Sequence, residues 1–184
     1  MLVANQKLKE NIAEYVIYMF QVETIIRSLD LDIEKIYTYY ICQMTSNEDA
    51  RQDVKKWYAD IIAEMQKDKI TEKGHIRKVH EVLDELNFLH STLLTTLDDT
   101  EYKEVFTTTG TFIKELQTRA EINALNDIET SFTALYGKLT LRMQKKEISE
   151  ETNEAFDSFT KLLSILSLRY KDFKSGNLKF QVNN

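Results

Sequence analysis

The chain has 184 residues, 42% hydrophobic and 29% charged, with a formal net charge of −6 at pH 7. That much apolar surface offsets the entropy of ordering and excludes an intrinsically disordered chain; with Lys and Arg diluted by acidic neighbours, the balance also disfavours binding to nucleic-acid phosphates. Proline is missing and only Gly74, Gly110, Gly137 and Gly176 supply glycine, so the residues that interrupt helices, at about 3 and about 1 kcal/mol relative to alanine, are scarce, and an all-α single domain over 1–184, a bundle of six or seven helices, is expected.

The first helix is predicted over 6–29. Lys7, Lys9, Glu10 and Glu14 precede or interrupt its apolar stretch, and the longest apolar run, Tyr15 to Phe20, is six residues, against roughly 20 for a bilayer span. Neither an export signal nor membrane insertion is therefore expected. Between Ile12 and Ile26 eleven of fifteen residues are apolar, wider than the stripe of a surface helix, so this helix must be covered on at least two sides. The Asp30-Leu31-Asp32 segment ends it, and Asp32 caps a short second helix, 33–44, rich in Tyr37, Tyr39, Tyr40 and Met44. Tyrosine and methionine are favoured at interfaces, so Tyr15, Tyr18, Phe20, Tyr39 and Tyr40 are the candidate contact residues for a protein partner or a second copy of the chain. Coverage by the chain's own bundle accounts for them equally. Cys42 has no second cysteine to pair with, which fits a reducing, cytoplasmic compartment.

Ser46 with Asp49 predicts the start of a third helix ending near Lys69, and Thr71, preceded by Ile70, the start of a fourth ending near Leu97. Asp98 with Glu101 caps a fifth. Its Thr107-Thr108-Thr109-Gly110-Thr111 run lacks the Gly-Lys-Thr ending of a phosphate loop and, being β-branched, predicts a kinked or frayed stretch. The next break falls between Arg119 and Asn126; a sixth periodic stretch ends near Lys146, and Ser149 caps a last helix that stops before Gly176. Met65-Gln66-Lys67, Ile70 and Glu72 recur as Met143-Gln144-Lys145, Ile148 and Glu150, which suggests two similar hairpins, 46–97 and 124–174. Duplication and generic helix capping both produce that pattern. The tail 177–184 alternates apolar and polar residues, as an extended segment docked on the domain or on a neighbour would, or as a free end.

No catalytic set assembles along the chain. Glu72 and His75 have the Glu-x-x-His spacing of di-metal bundles, but such sites need it twice, and an acidic residue in a first turn is explained by the helix dipole. Glu81, Asp84 and Glu85 with His90 on the fourth helix form the one candidate pocket, for a metal-nucleotide or small polar ligand; it lacks the second acidic pair that magnesium chemistry requires. His90 follows Leu83 and Leu86 by seven and four residues, which equally describes a core histidine. Metal and cofactor are both expected to be absent. Arg142, Lys145 and Lys146 are the residues that a nucleic-acid accessory factor would use.

Two stretches carry a resemblance: Ala4-Asn5-Gln6-Lys7 with Glu10-Asn11-Ile12-Ala13-Glu14-Tyr15, and Glu129, Ala134-Leu135-Tyr136-Gly137 with Leu141-Arg142-Met143-Gln144-Lys145-Lys146-Glu147-Ile148-Ser149. The chain resembles an uncharacterised family of all-helical proteins of this length from Bacteroides and relatives, a domain of unknown function. The resemblance implies a single bacterial helical domain and carries no catalytic motif. The expected function is therefore non-catalytic, a cytoplasmic interaction or structural role through helix surfaces.

Overall fold

The computed structural model describes residues 2–119 and 125–178. Eight helices account for most of the described residues: α1 (Leu2–Glu10), α2 (Ile12–Ser28), α3 (33–44), α4 (Glu48–Lys67), α5 (Arg77–Thr95), α6 (Thr100–Arg119), α7 (Asp127–Met143) and α8 (Glu150–Lys174). The all-α expectation holds, with more helices than the six or seven anticipated.

The extra helix comes from Asn11. Its backbone is extended (φ −151°, ψ 104°) and its side chain accepts from the N–H groups of Ala13 and Glu14, so a cap splits the expected 6–29 helix in two. Asp32 and Ser149 cap α3 and α8 as the sequence indicated. Three other caps are displaced. Asn47, not Ser46, caps α4. Asp99, not Asp98, accepts the Tyr102 N–H at 3.0 Å, while Asp98 takes a positive φ of 51°. Thr71 caps nothing: residues 68–76 form a loop and α5 begins only at Arg77, after Ile76. α6 continues unbroken through Gly110, with the hydroxyls of Thr107 and Thr109 bonded back to the carbonyls of Lys103 and Val105. The β-branched run therefore does not break the helix: its threonine hydroxyls bond within the helix, and Thr109 is fully buried against Ser158 of α8. Of the break expected between Arg119 and Asn126, its far side is described: Asn126 with Glu129 closes a capping box at the start of α7, and residues 120–124 lie outside the described residues.

The similar turns are a shared way of ending a helix. After α4, Lys69 has φ 58° and the Ile70 N–H reaches the Met65 carbonyl at 2.9 Å; after α7, Lys145 has φ 53° and the Lys146 N–H reaches Leu141 at 3.0 Å. The structural offset is thus 76 residues, not the 78 of the sequence match. Asp30 after α2 and Gly176 after α8 close in the same manner, the Schellman arrangement that satisfies orphan carbonyls. The hairpins also pack differently: α7 lies along α8, whereas α4 lies against α3. Of the tail 177–184, Asn177 and Leu178 are described and the remainder lies outside the described residues.

Helix α2 is the axis of the core. Helices α5, α7 and α8 all pack against it, and Ile12, Val16, Met19, Val22 and Ile26 are at most 3% exposed. This multi-sided cover explains its unusual apolar width. Around it, α5 contributes Leu83, Leu86 and Leu89, α7 Ile128 and Phe132, and α8 Phe159, Leu162 and Leu166 to one continuous core.

Candidate functional site

The aromatic residues of α2, α3 and α4 form one assembly that runs from the core to the surface. Tyr18 and Trp57, both half-buried, stack with centroids 6.3 Å apart at 15°. Trp57 meets Tyr58 edge-on at 5.2 Å, and Tyr58 meets Tyr40 edge-on at 6.1 Å, the tilted geometry that aromatic quadrupoles favour. Tyr58 is fully buried and its hydroxyl has no hydrogen-bond partner among the described residues. Burial first, then the neighbouring Tyr40 and Tyr18 phenols, pushes its pKa far above the usual tyrosine value.

A π-turn, Tyr37–Ile41, separates the tyrosines of α3. Widening the helix by one residue changes the direction in which successive side chains leave it. Tyr37 donates its hydroxyl to Glu48 Oε1 at 2.8 Å under the Lys55 ammonium, Tyr40 turns in toward Tyr58, and Tyr39 stands 64% exposed. Met44, at the end of the same segment, is also exposed. Of the five candidate contact residues, then, Tyr39 faces solvent, while Tyr18 and Tyr40 are half-buried. Tyr15 and Phe20 do not belong to this surface: both lie in the chain's own core, because the apolar breadth of α2 serves internal packing. Burial, reinforced by Glu23, Glu64 and Glu81, pushes the Tyr15 phenol up to about 12.

The pocket expected from Glu81, Asp84, Glu85 and His90 does not assemble. The three acids lie on the exposed face of α5 and His90 on its buried face. Glu85 accepts from the Tyr170 hydroxyl and pairs with Lys174. His90 Nδ1 lies 2.7 Å from Tyr102 Oη, and its Nε2 lies 3.8 Å from Asp127 Oδ2. Burial holds its pKa below the ordinary histidine value, against the opposing pull of Asp127. A cleft of about 620 Å³ opens instead at the C-terminal end of α5, between Leu93, Leu97, Asp99, Arg169 and Leu178, where Arg169 is held by Asp99 at 2.6 Å and Glu101 at 2.9 Å.

Glu23 was missed by sequence reasoning. This carboxylate, with no exposed surface, accepts the Ile76 N–H at 2.9 Å and lies 2.6 Å from His75 Nδ1, while Arg27, one turn on, donates to the carbonyls of Ile70 and Gly74. Together they fasten loop 68–76 to α2, and the His75 ring stacks on Phe20 at 4.1 Å. His75 is therefore a loop anchor with no tie to Glu72, which is exposed. The available signal was a carboxylate one residue after Val22 and three before Ile26, in the most apolar stretch of the chain, where a buried charge survives only if paired. Among the described residues no three His, Cys, Asp or Glu side chains gather where they could hold a metal ion, and no helix is long and apolar enough to cross a membrane.

A family model described as a domain of unknown function, DUF4924, matches residues 1–177. The chain belongs to that family. The match spans every helix from α1 to α8, so the family corresponds to the whole bundle rather than to a part of it. No curated protein and no solved structure matches the chain.

Proposed function

We propose that the chain is a non-catalytic, cytoplasmic protein of bacterial origin that works by binding a protein, either another chain or a copy of itself, through the surface of α3. The observation that carries this reading is Tyr39, a large aromatic 64% exposed on a π-turn, in the same turn as Tyr40, which packs on Tyr58. An exposed tyrosine has few side-chain torsions to lose on binding, and tyrosine is a frequent energetic centre of interfaces. π-Turns, moreover, are retained at functional positions more often than elsewhere.

Light scattering over a wide concentration range tests the self-associating form. The mass is expected to rise with concentration for the unmodified chain and to stay monomeric for Tyr39→Glu, whose exposed position leaves folding intact. A monomer at every concentration eliminates self-association. The hetero-partner form then requires a co-purifying protein that is lost with Tyr39→Glu, and equal recovery with both chains removes it.

A further inference from the structure

His90 links three helices. It lies on α5; Tyr102, its 2.7 Å hydrogen-bond partner, and Phe106, 4.8 Å from it edge-on, lie on α6; and Asp127 is the first residue of α7. Tyr102 is fully buried and His90 is 5% exposed. The charged and titratable groups about the ring are Tyr102 from α6 and Asp127 from α7, with Asp99, just before α6, acting on the Tyr102 phenol.

The arrangement fixes the tautomer. A carboxylate 3.8 Å from Nε2 favours a proton on that nitrogen, so Nδ1 is left as the acceptor and the Tyr102 hydroxyl as the donor. Adding a second proton to the ring turns Nδ1 into a donor. The buried Tyr102 hydroxyl must then reverse and give up its acceptor, in a place where an unbonded hydroxyl is costly.

From this geometry we infer that His90 is an acid-sensitive fastener of the α5–α6–α7 junction, closed when the ring is neutral and loosened when it is protonated. In the unfolded chain the ring titrates near its ordinary value of about 6.5; in the folded chain it resists protonation. The stabilisation is therefore complete above about pH 6.5 and is lost as pH falls below it. The folding equilibrium weakens by up to tenfold per pH unit, levelling off once the folded form also takes up the proton.

Proton NMR titration of the three histidines in the full chain, with Tyr102→Phe and Asp127→Asn, tests the inference. The His90 midpoint is expected below the ordinary histidine value of about 6.5, to move up in Tyr102→Phe, which removes the donor favouring the neutral ring, and to move down in Asp127→Asn, which removes the carboxylate favouring the charged one. Opposite displacements are not produced by a residue that merely fills space. Should Tyr102→Phe fail to fold, Asp127→Asn still decides the matter, because Asp127 is partly exposed. A His90 midpoint at or above about 6.5, or no downward movement in Asp127→Asn, overturns the inference.

Discussion

At Tyr58 the chain buries a phenol whose hydroxyl bonds to no described residue. Such a group costs about 1–3 kcal/mol of desolvation without return, so Tyr58→Phe is expected to leave stability unchanged or raise it by about 1 kcal/mol in urea denaturation. A loss above that size would reveal a partner for the hydroxyl. A second single-residue prediction concerns Lys145, exposed and held at φ 53° after α7. A side chain in the left-handed region costs about 1–2 kcal/mol, which glycine avoids. Glycine gives part of this back through the entropy of its unfolded state, so Lys145→Gly is expected to raise stability by about 0.5–1 kcal/mol, seen as a higher thermal midpoint.

At the scale of elements, loop 68–76 stands out because it replaces a helix start. The sequence Ile70-Thr71 reads as a hydrophobic residue before a cap, and locally nothing contradicts that reading. What overrides it is distant: Glu23 on α2 takes the Ile76 N–H and His75, and Arg27 takes two loop carbonyls. Bonds made across more than forty residues leave no trace in local spacing. Removing the carboxylate with Glu23→Ala strands a buried N–H and an imidazole, so a loss of about 3 kcal/mol is expected, together with faster amide exchange through residues 69–76. Normal exchange there would mean the loop is held by other contacts. Caps were legible where the side chain acts on its own helix, as at Asp32 and Ser149. Where neighbouring residues compete for the role, Asn47 against Ser46 or Asp99 against Asp98, composition does not choose between them. The same limit applies to the candidate contact surface. The breadth of α2 announced multi-sided cover, but which tyrosine would remain outside depended on a π-turn, which hydrophobic periodicity does not report.

Over the whole molecule, the ion pair of Asp99 with Arg169 joins the residue just before α6 to the far half of α8. Partial burial opposes ionisation of Asp99, but Arg169 and the Tyr102 N–H outweigh it and hold its carboxyl below the usual range. A carboxyl with a lowered folded-state pKa contributes stability above its unfolded value, about 3.9, and loses it as pH falls further. Acid unfolding is therefore expected to shift to higher pH in Arg169→Met, while the unmodified chain keeps this contribution until below pH 4. Coincident acid midpoints for the two chains would show the tie to be energetically silent. The loss of the His90 contribution begins higher, near about pH 6.5, so comparing Arg169→Met with Asp127→Asn in one titration series assigns each part of the acid response.

The central position of α2 also bears on how the chain is made. Its apolar sides are complete by residue 28, yet the helices that cover them, α5, α7 and α8, extend to residue 174. At about 5–20 residues per second of synthesis, roughly seven to thirty seconds separate the completion of α2 from that of its last cover. The apolar segment 12–26 therefore gains its full native cover only once α8 has been made, so the core closes from the C-terminal side of the chain inward.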